Sequence, residues 1–105
     1  MQNINPTTKT IARDSGETVK LTEWTIDAYT LRKIEEADYT DWIVRCADRT
    51  RPRVENIAGF GQTVEFGISC SSISDLSVEG AVAYAAQIAE AADTASKFNE
   101  IVAAD

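Results

Sequence analysis

Histidine is absent from the 105 residues. That removes the usual general base at neutral pH and the commonest metal ligand. Ser-His-Asp and Cys-His constellations are therefore impossible within one chain. Two cysteines, Cys46 and Cys70, cannot by themselves close a structural zinc site. Both fall in apolar, strand-like runs, which predicts reduced, buried small hydrophobes. The sharper alternative is that they face each other on paired strands and cross-link on oxidation. No apolar run approaches the length of a membrane span. The start, "MQNINPTTKT", has neither the basic end nor the apolar middle of a signal peptide, so a cytoplasmic protein is expected. Cations are scarce too: ten Lys and Arg stand against seventeen Asp and Glu, a net charge of −7.

Apolar residues make up 44% of the chain, too many for a disordered one. The length suits a single domain over residues 1–105, with residues 1–7 as a loose lead. "TTKTIAR" can form a strand, "DSG" (Asp14, Ser15, Gly16) supplies turn chemistry, and "ETVKL" alternates with Val19 and Leu21 on one side. Together they read as a β-hairpin. Trp24, Ile26 and Ala28 continue the alternation in the opposite phase, which a bulge near Thr22 and Glu23 would reconcile. The pattern predicts a strand running into a turn at Glu35–Asp38. A helix over residues 26–37, capped by Thr25, stays open as the competing assignment. "YTDWIVRCA" suits a strand, "VENIAGFG" reads as irregular, and "QTVEFGISCSS" alternates strictly, with Val64, Phe66, Ile68 and Cys70 on one face.

Residues 77–102 read as one long helix. Ser77 is a good N-cap, Glu79 suits the first turn, and Leu76 can staple onto the next. Ala81, Tyr84, Ile88, Ala91, Ala95, Phe98 and Val102 recur at spacings of three and four. The fold class expected is α+β: a small antiparallel sheet of about four to five strands with an Ala-rich C-terminal helix packed on one face.

No nucleotide loop or catalytic motif is present; "GFG" at residues 59–61 is too short and lacks the lysine and hydroxyl that follow such loops. The chain is read as a non-enzymatic protein without cofactor or metal. Three surface features could carry binding. The turn holding Glu35, Glu36, Asp38 and Asp41 could place carboxylates where a basic groove normally holds phosphates. Arg45, Arg49, Arg51 and Arg53 give residues 45–53 a local charge of +3, leaving −10 for the rest. In extended backbone the last three would project on one side about 6 to 7 Å apart, clamping an anion, a partner or the chain's own acids at Glu35–Asp41. Trp24, Trp42 and Tyr39, with Tyr29 and Phe60 nearby, are candidate interface anchors, one Trp in the core and the other exposed.

The chain is short, acidic and motif-poor, with a small sheet and one helix. In these respects it is similar to phage- and plasmid-encoded antagonists of host machinery, anti-CRISPR proteins among them; the likeness is one of composition and size. It implies an interaction protein that occludes a basic, nucleic-acid-facing surface of a host complex in the host cytosol. The surrounding −10 argues against direct nucleic-acid binding, and no membrane partner is expected. Two alternatives stand: an assembly or chaperone component, such as a virion part, acting by self-association as a possible homodimer, and a binder of a small anionic ligand through residues 45–53.

Overall fold

The structure is a computed structural model that describes residues 5–59, 63–70 and 75–105. The described residues form an α+β fold of six strands and one long helix, and the strands divide between a four-stranded and a two-stranded sheet. Two compact units result, residues 1–45 and 46–105.

The first unit is an antiparallel meander of β1 (Thr7–Ala12), β2 (Thr18–Ile26), β3 (Tyr29–Glu35) and β4 (Thr40–Cys46), in that spatial order. The "DSG" turn joins β1 to β2. Gly16 N donates to Arg13 O at 2.9 Å and Arg13 N to Glu17 O at 2.8 Å. Gly16 takes φ 87°, the left-handed position that closes a three-residue hairpin loop. A second hairpin follows at once. Ile26 faces Tyr29, so only Asp27 and Ala28 form the loop, and Asp27 adopts φ 54°. Aspartate tolerates that region better than most L-residues. The helical alternative for residues 26–37 is thereby excluded, and the turn at Glu35–Asp38 is present, with Glu36 N donating to Tyr39 O at 2.9 Å.

The anticipated bulge is not. Both registers run unbroken through Thr22 and Glu23. The phase change has another cause: the sheet buries opposite faces at its two ends. Val19 and Leu21 are buried on one face; Ile26, and the β3 residues Tyr29 and Leu31, are buried on the other. An inserted residue would have moved every later side chain to the other face. Here only the covered face changes. Tyr29 is therefore a core residue, not an interface anchor.

The second unit holds β5 (Arg53–Asn56), β6 (Phe66–Ser69) and α1 (Val78–Ala104), with the helix packed on the two-stranded sheet. Val54, Phe66, Ala91, Ala95 and Phe98 form its buried centre. Phe66 meets Phe98 edge to face at 6.3 Å between centroids. Asn99 locks the helix to β6: its Nδ2 donates to Phe66 O at 3.0 Å and its Oδ1 accepts from Phe66 N at 2.7 Å. The side-chain amide thus offers Phe66 what a neighbouring strand would. Ser77 caps the helix, its hydroxyl accepting from Gly80 N at 3.0 Å.

The spaced seam is buried only in its C-terminal half. Ala81 is exposed, and Tyr84, Ile88 and Val102 are half-buried. Leu76, the expected staple, stays exposed. β6 is shorter than the alternation suggests: Val64 and Cys70 flank it, and residues 71–72 lie outside the described residues. The irregular reading of residues 54–61 is corrected at Val54–Asn56, which pair with Phe66–Ile68. A Cβ at Gly67 would sit 2.6 Å from Ile57 Cδ1, so a larger residue there requires the exposed Ile57 side chain to turn away.

The packing makes Phe98 the dominant helix anchor. Phe98→Ala is expected to cost about 3–5 kcal/mol, and Ser77→Ala about 1 kcal/mol, in urea unfolding followed by far-UV circular dichroism.

Candidate functional site

The acidic turn is built where β3 ends and β4 begins. Its four carboxylates divide two and two. Glu35 is the register partner of Lys20, whose Nζ lies 3.8 Å from Glu35 Oε2, and Lys33 Nζ approaches Oε1 at 3.4 Å. Glu36 is paired with Arg13. Asp38 and Asp41 are exposed and have no ion-pair partner among the described residues. Between them stands Tyr39, 60% exposed. The Glu36 carboxylate, hydrogen-bonded to its phenol, holds Tyr39 above the ordinary tyrosine pKa. What projects from this turn is two free carboxylates around an aromatic ring.

Trp24 and Trp42 do not divide into one buried and one exposed ring. They stack on each other across β3, with centroids 5.8 Å apart and planes 24° from parallel, and both are half-buried. Lys33, on the intervening strand, sets its ammonium 5.5 Å from the Trp42 centroid. Such a stacked pair contributes about 0.5–1.5 kcal/mol beyond its buried area, and a half-buried cation–π contact about 0.5–2 kcal/mol. Lys33 thereby links this cluster to Glu35. Asp41, next to Trp42 in the strand, points to the opposite face. Phe60 lies outside the described residues.

The arginine run is not an extended row. Asp48, Arg49 and Thr50 fold it into a turn. Thr50 N and Oγ1 both donate to Asp48 Oδ1, at 3.0 and 2.6 Å, and Arg51 N donates to Asp48 O at 3.3 Å. Cys46 Sγ donates to the same carbonyl at 3.0 Å. With extended backbone lost, Arg49, Arg51 and Arg53 do not share one face at strand spacing.

Nor are the arginines' partners the acids at Glu35–Asp41. Arg51 reaches Glu90 on α1, 3.1 Å from Nη1 to Oε1, and Asp48, 3.5 Å from Nε to Oδ2. Arg53 pairs with Glu55 at 3.0 Å. Glu90, foremost, raises the Arg51 guanidinium above its ordinary pKa. The Thr50 hydroxyl and amide hold the Asp48 carboxyl below its own. Arg45, exposed on β4, and Arg49 have no ion-pair partner among the described residues.

Asp48 and Glu90 were not singled out as clamps from sequence. The Asp48–Thr50 pair carried a readable signal, because Asp two residues before Thr is turn chemistry. Glu90 carried none, since its partner is 39 residues away.

The cysteines are corrected too. Both are free, but Cys46 is half-buried at the end of β4 and Cys70 is exposed just past β6, so they do not sit on paired strands. Cys70 lies against the Tyr84 phenol and raises its pKa. Among the described residues no group of three or more Cys, Asp and Glu side chains is arranged to hold a metal ion. No described helix is long and apolar enough to cross a membrane. No protein-family model, curated protein or solved structure matches the chain.

The Asp48 turn has a pH signature. Its carboxyl is depressed in the folded state, so the charge-dependent stabilisation is fully present above about pH 4 and is lost as pH falls through the folded value. Wild type is expected to unfold at higher urea than Asp48→Asn at neutral pH, and the gap should close towards about pH 2. A gap that stays constant over that range would remove the carboxylate's charge from the explanation.

Proposed function

We propose that the protein is a non-enzymatic interaction module that occludes a basic surface of a larger macromolecular complex. The observation that carries this reading is the disposition of charge at the acidic turn: Glu35 and Glu36 are held by the chain's own cations, while Asp38 and Asp41 stand free on either side of exposed Tyr39. Ion pairing elsewhere reinforces it. Arg13, Lys20, Arg32, Lys33, Arg51, Arg53 and Lys97 all have acidic partners within the chain. The net charge of −7 is left on the surface with few competing cations.

The mechanism is steric and electrostatic. Asp38 and Asp41 offer negative oxygens to Arg and Lys side chains that otherwise hold phosphates, and Tyr39 supplies an amphipathic contact between them. The pairs on Glu35 and Glu36 fix the turn, so the free carboxylates are presented by an ordered scaffold and lose little freedom on binding. The acidic body steers the encounter over a range set by ionic strength. The compositional likeness to mobile-element antagonists points to a nucleic-acid-handling complex of the host as the target.

The test is an affinity capture from extract of the source cells at low and high salt, with partners identified by mass spectrometry. Capture is expected to weaken with salt, and Asp38→Lys with Asp41→Lys to weaken it by about tenfold or more, chiefly through slower association. Undiminished capture after charge reversal at Glu35, Glu36, Asp38 and Asp41 together would refute the reading.

A further inference from the structure

β1 is an edge strand, and all six of its residues are exposed. The hydrogen-bond phase of the β1–β2 hairpin shows which of its backbone groups point outward. Arg13 N bonds Glu17 O, so that pair is of the hydrogen-bonded kind. In an antiparallel ladder such pairs alternate with non-bonded ones. Back along the β1–β2 register, Ile11, Lys9 and Thr7 are therefore bonded to Val19, Leu21 and Glu23. Ala12, Thr10 and Thr8 belong to the non-bonded pairs, and their N–H and C=O groups face away from β2. The next hairpin agrees. Its two-residue loop makes Ile26 and Tyr29 a bonded pair, which turns Lys20, Thr22 and Trp24 towards β3 and leaves Val19, Leu21 and Glu23 for β1.

An open edge usually carries a guard: a bulge, a proline or an inward-pointing charge. The β1 register has no bulge, and Pro6 stands before the strand rather than in it. Lys9 is the one charged residue of "TTKTIA", and it blocks only some registers.

We propose that β1 pairs antiparallel with β1 of a second copy of this chain, in the register centred on Thr10. Three features select that occupant and register. Thr10 opposes its own copy, and Thr8 opposes Ala12 of the other chain. Every outward-facing residue of the strand then meets another, giving about six inter-chain hydrogen bonds, whereas registers centred one residue to either side give about four. Lys9 faces Ile11 of the other copy rather than Lys9, so its aliphatic stem covers a side chain that is 41% exposed in the single chain. Centring on Lys9 would oppose two ammonium groups. Finally, the two Thr10 hydroxyls meet across the two-fold axis, as Thr25 and Thr30 already do within this sheet at 3.1 Å. The two four-stranded sheets become one continuous sheet of twice the width.

The test uses the whole chain. Sedimentation velocity and backbone amide exchange by NMR are measured from about 10 µM to about 1 mM, a range that spans weak self-association. Wild type is expected to move from monomer to dimer, with the Thr8, Thr10 and Ala12 amides gaining about tenfold or more in protection as it does so, while Lys9 and Ile11 stay protected throughout. Thr10→Pro removes an N–H that β2 does not use, so it is expected to keep the monomer's circular dichroism and abolish the dimer. A wild type that stays monomeric over the whole range overturns the proposal. So does a dimer whose Thr8, Thr10 and Ala12 amides exchange at the monomer's rate. Protection of those amides that does not vary with concentration also overturns it, because some other segment then covers the edge.

Discussion

Ion pairing within the chain is the constraint on which the rest of the structure depends. A protein with seventeen acids and ten cations can neutralise only part of its charge, and where the cations go decides what the surface presents. On the first sheet, Lys20 and Lys33 converge on Glu35, Arg32 takes Glu23 at 3.0 Å, and Arg13 takes Glu36. In the second unit, Arg51 ties the loop after β4 to the helix through Glu90. Surface and half-buried pairs of this kind contribute little stability one by one. Their larger effect is on placement. Each fixes a long side chain and consumes a cation, so the remaining carboxylates face solvent with little opposing charge.

Structure and proposed function divide the acidic turn between them. Glu35 and Glu36 hold it in shape. In the proposed function, Asp38 and Asp41 act at a distance and at contact. The tryptophan pair belongs to the first role more than the second, because each indole covers the other and Lys33 covers Trp42. Among the described residues, the exposed ring at this site is Tyr39. The arginine run follows the same division: Arg51 and Arg53 hold acids of their own unit, and Arg45 and Arg49 remain outward.

What could be read from the sequence was local. Gly16 announced the first hairpin, and Ser77 the start of the helix, because a positive φ and an orphaned amide each select few residue types. The hairpin at Asp27 and Ala28 was not announced, since neither residue is glycine or asparagine and the flanking residues fit a helix as well. The phase change along β2 was visible, but its cause was not. Alternation reports which face is buried and is silent on whether the face or the register has switched. The helix seam was legible as a direction; the extent of its cover depended on a two-stranded sheet too short to reach Ala81. The arginine spacing suits one face only if the backbone is extended, whereas Asp48 and Thr50 close a turn inside it. The contacts of Trp24 with Trp42 and of Arg51 with Glu90 join residues far apart in the chain, and no local pattern encodes them.

The central claim is that carboxylates left over from internal pairing are the protein's working surface. It is tested most directly by labelling carboxyl groups with a carbodiimide and a small amine, free and in complex with the purified partner, and reading each site by mass spectrometry. The account predicts that Asp38 and Asp41 react readily in the free protein and are shielded in the complex, while Asp27, exposed in the β2–β3 turn at the opposite end of the sheet, reacts equally in both. Equal labelling of Asp38 and Asp41 with and without the partner would contradict it.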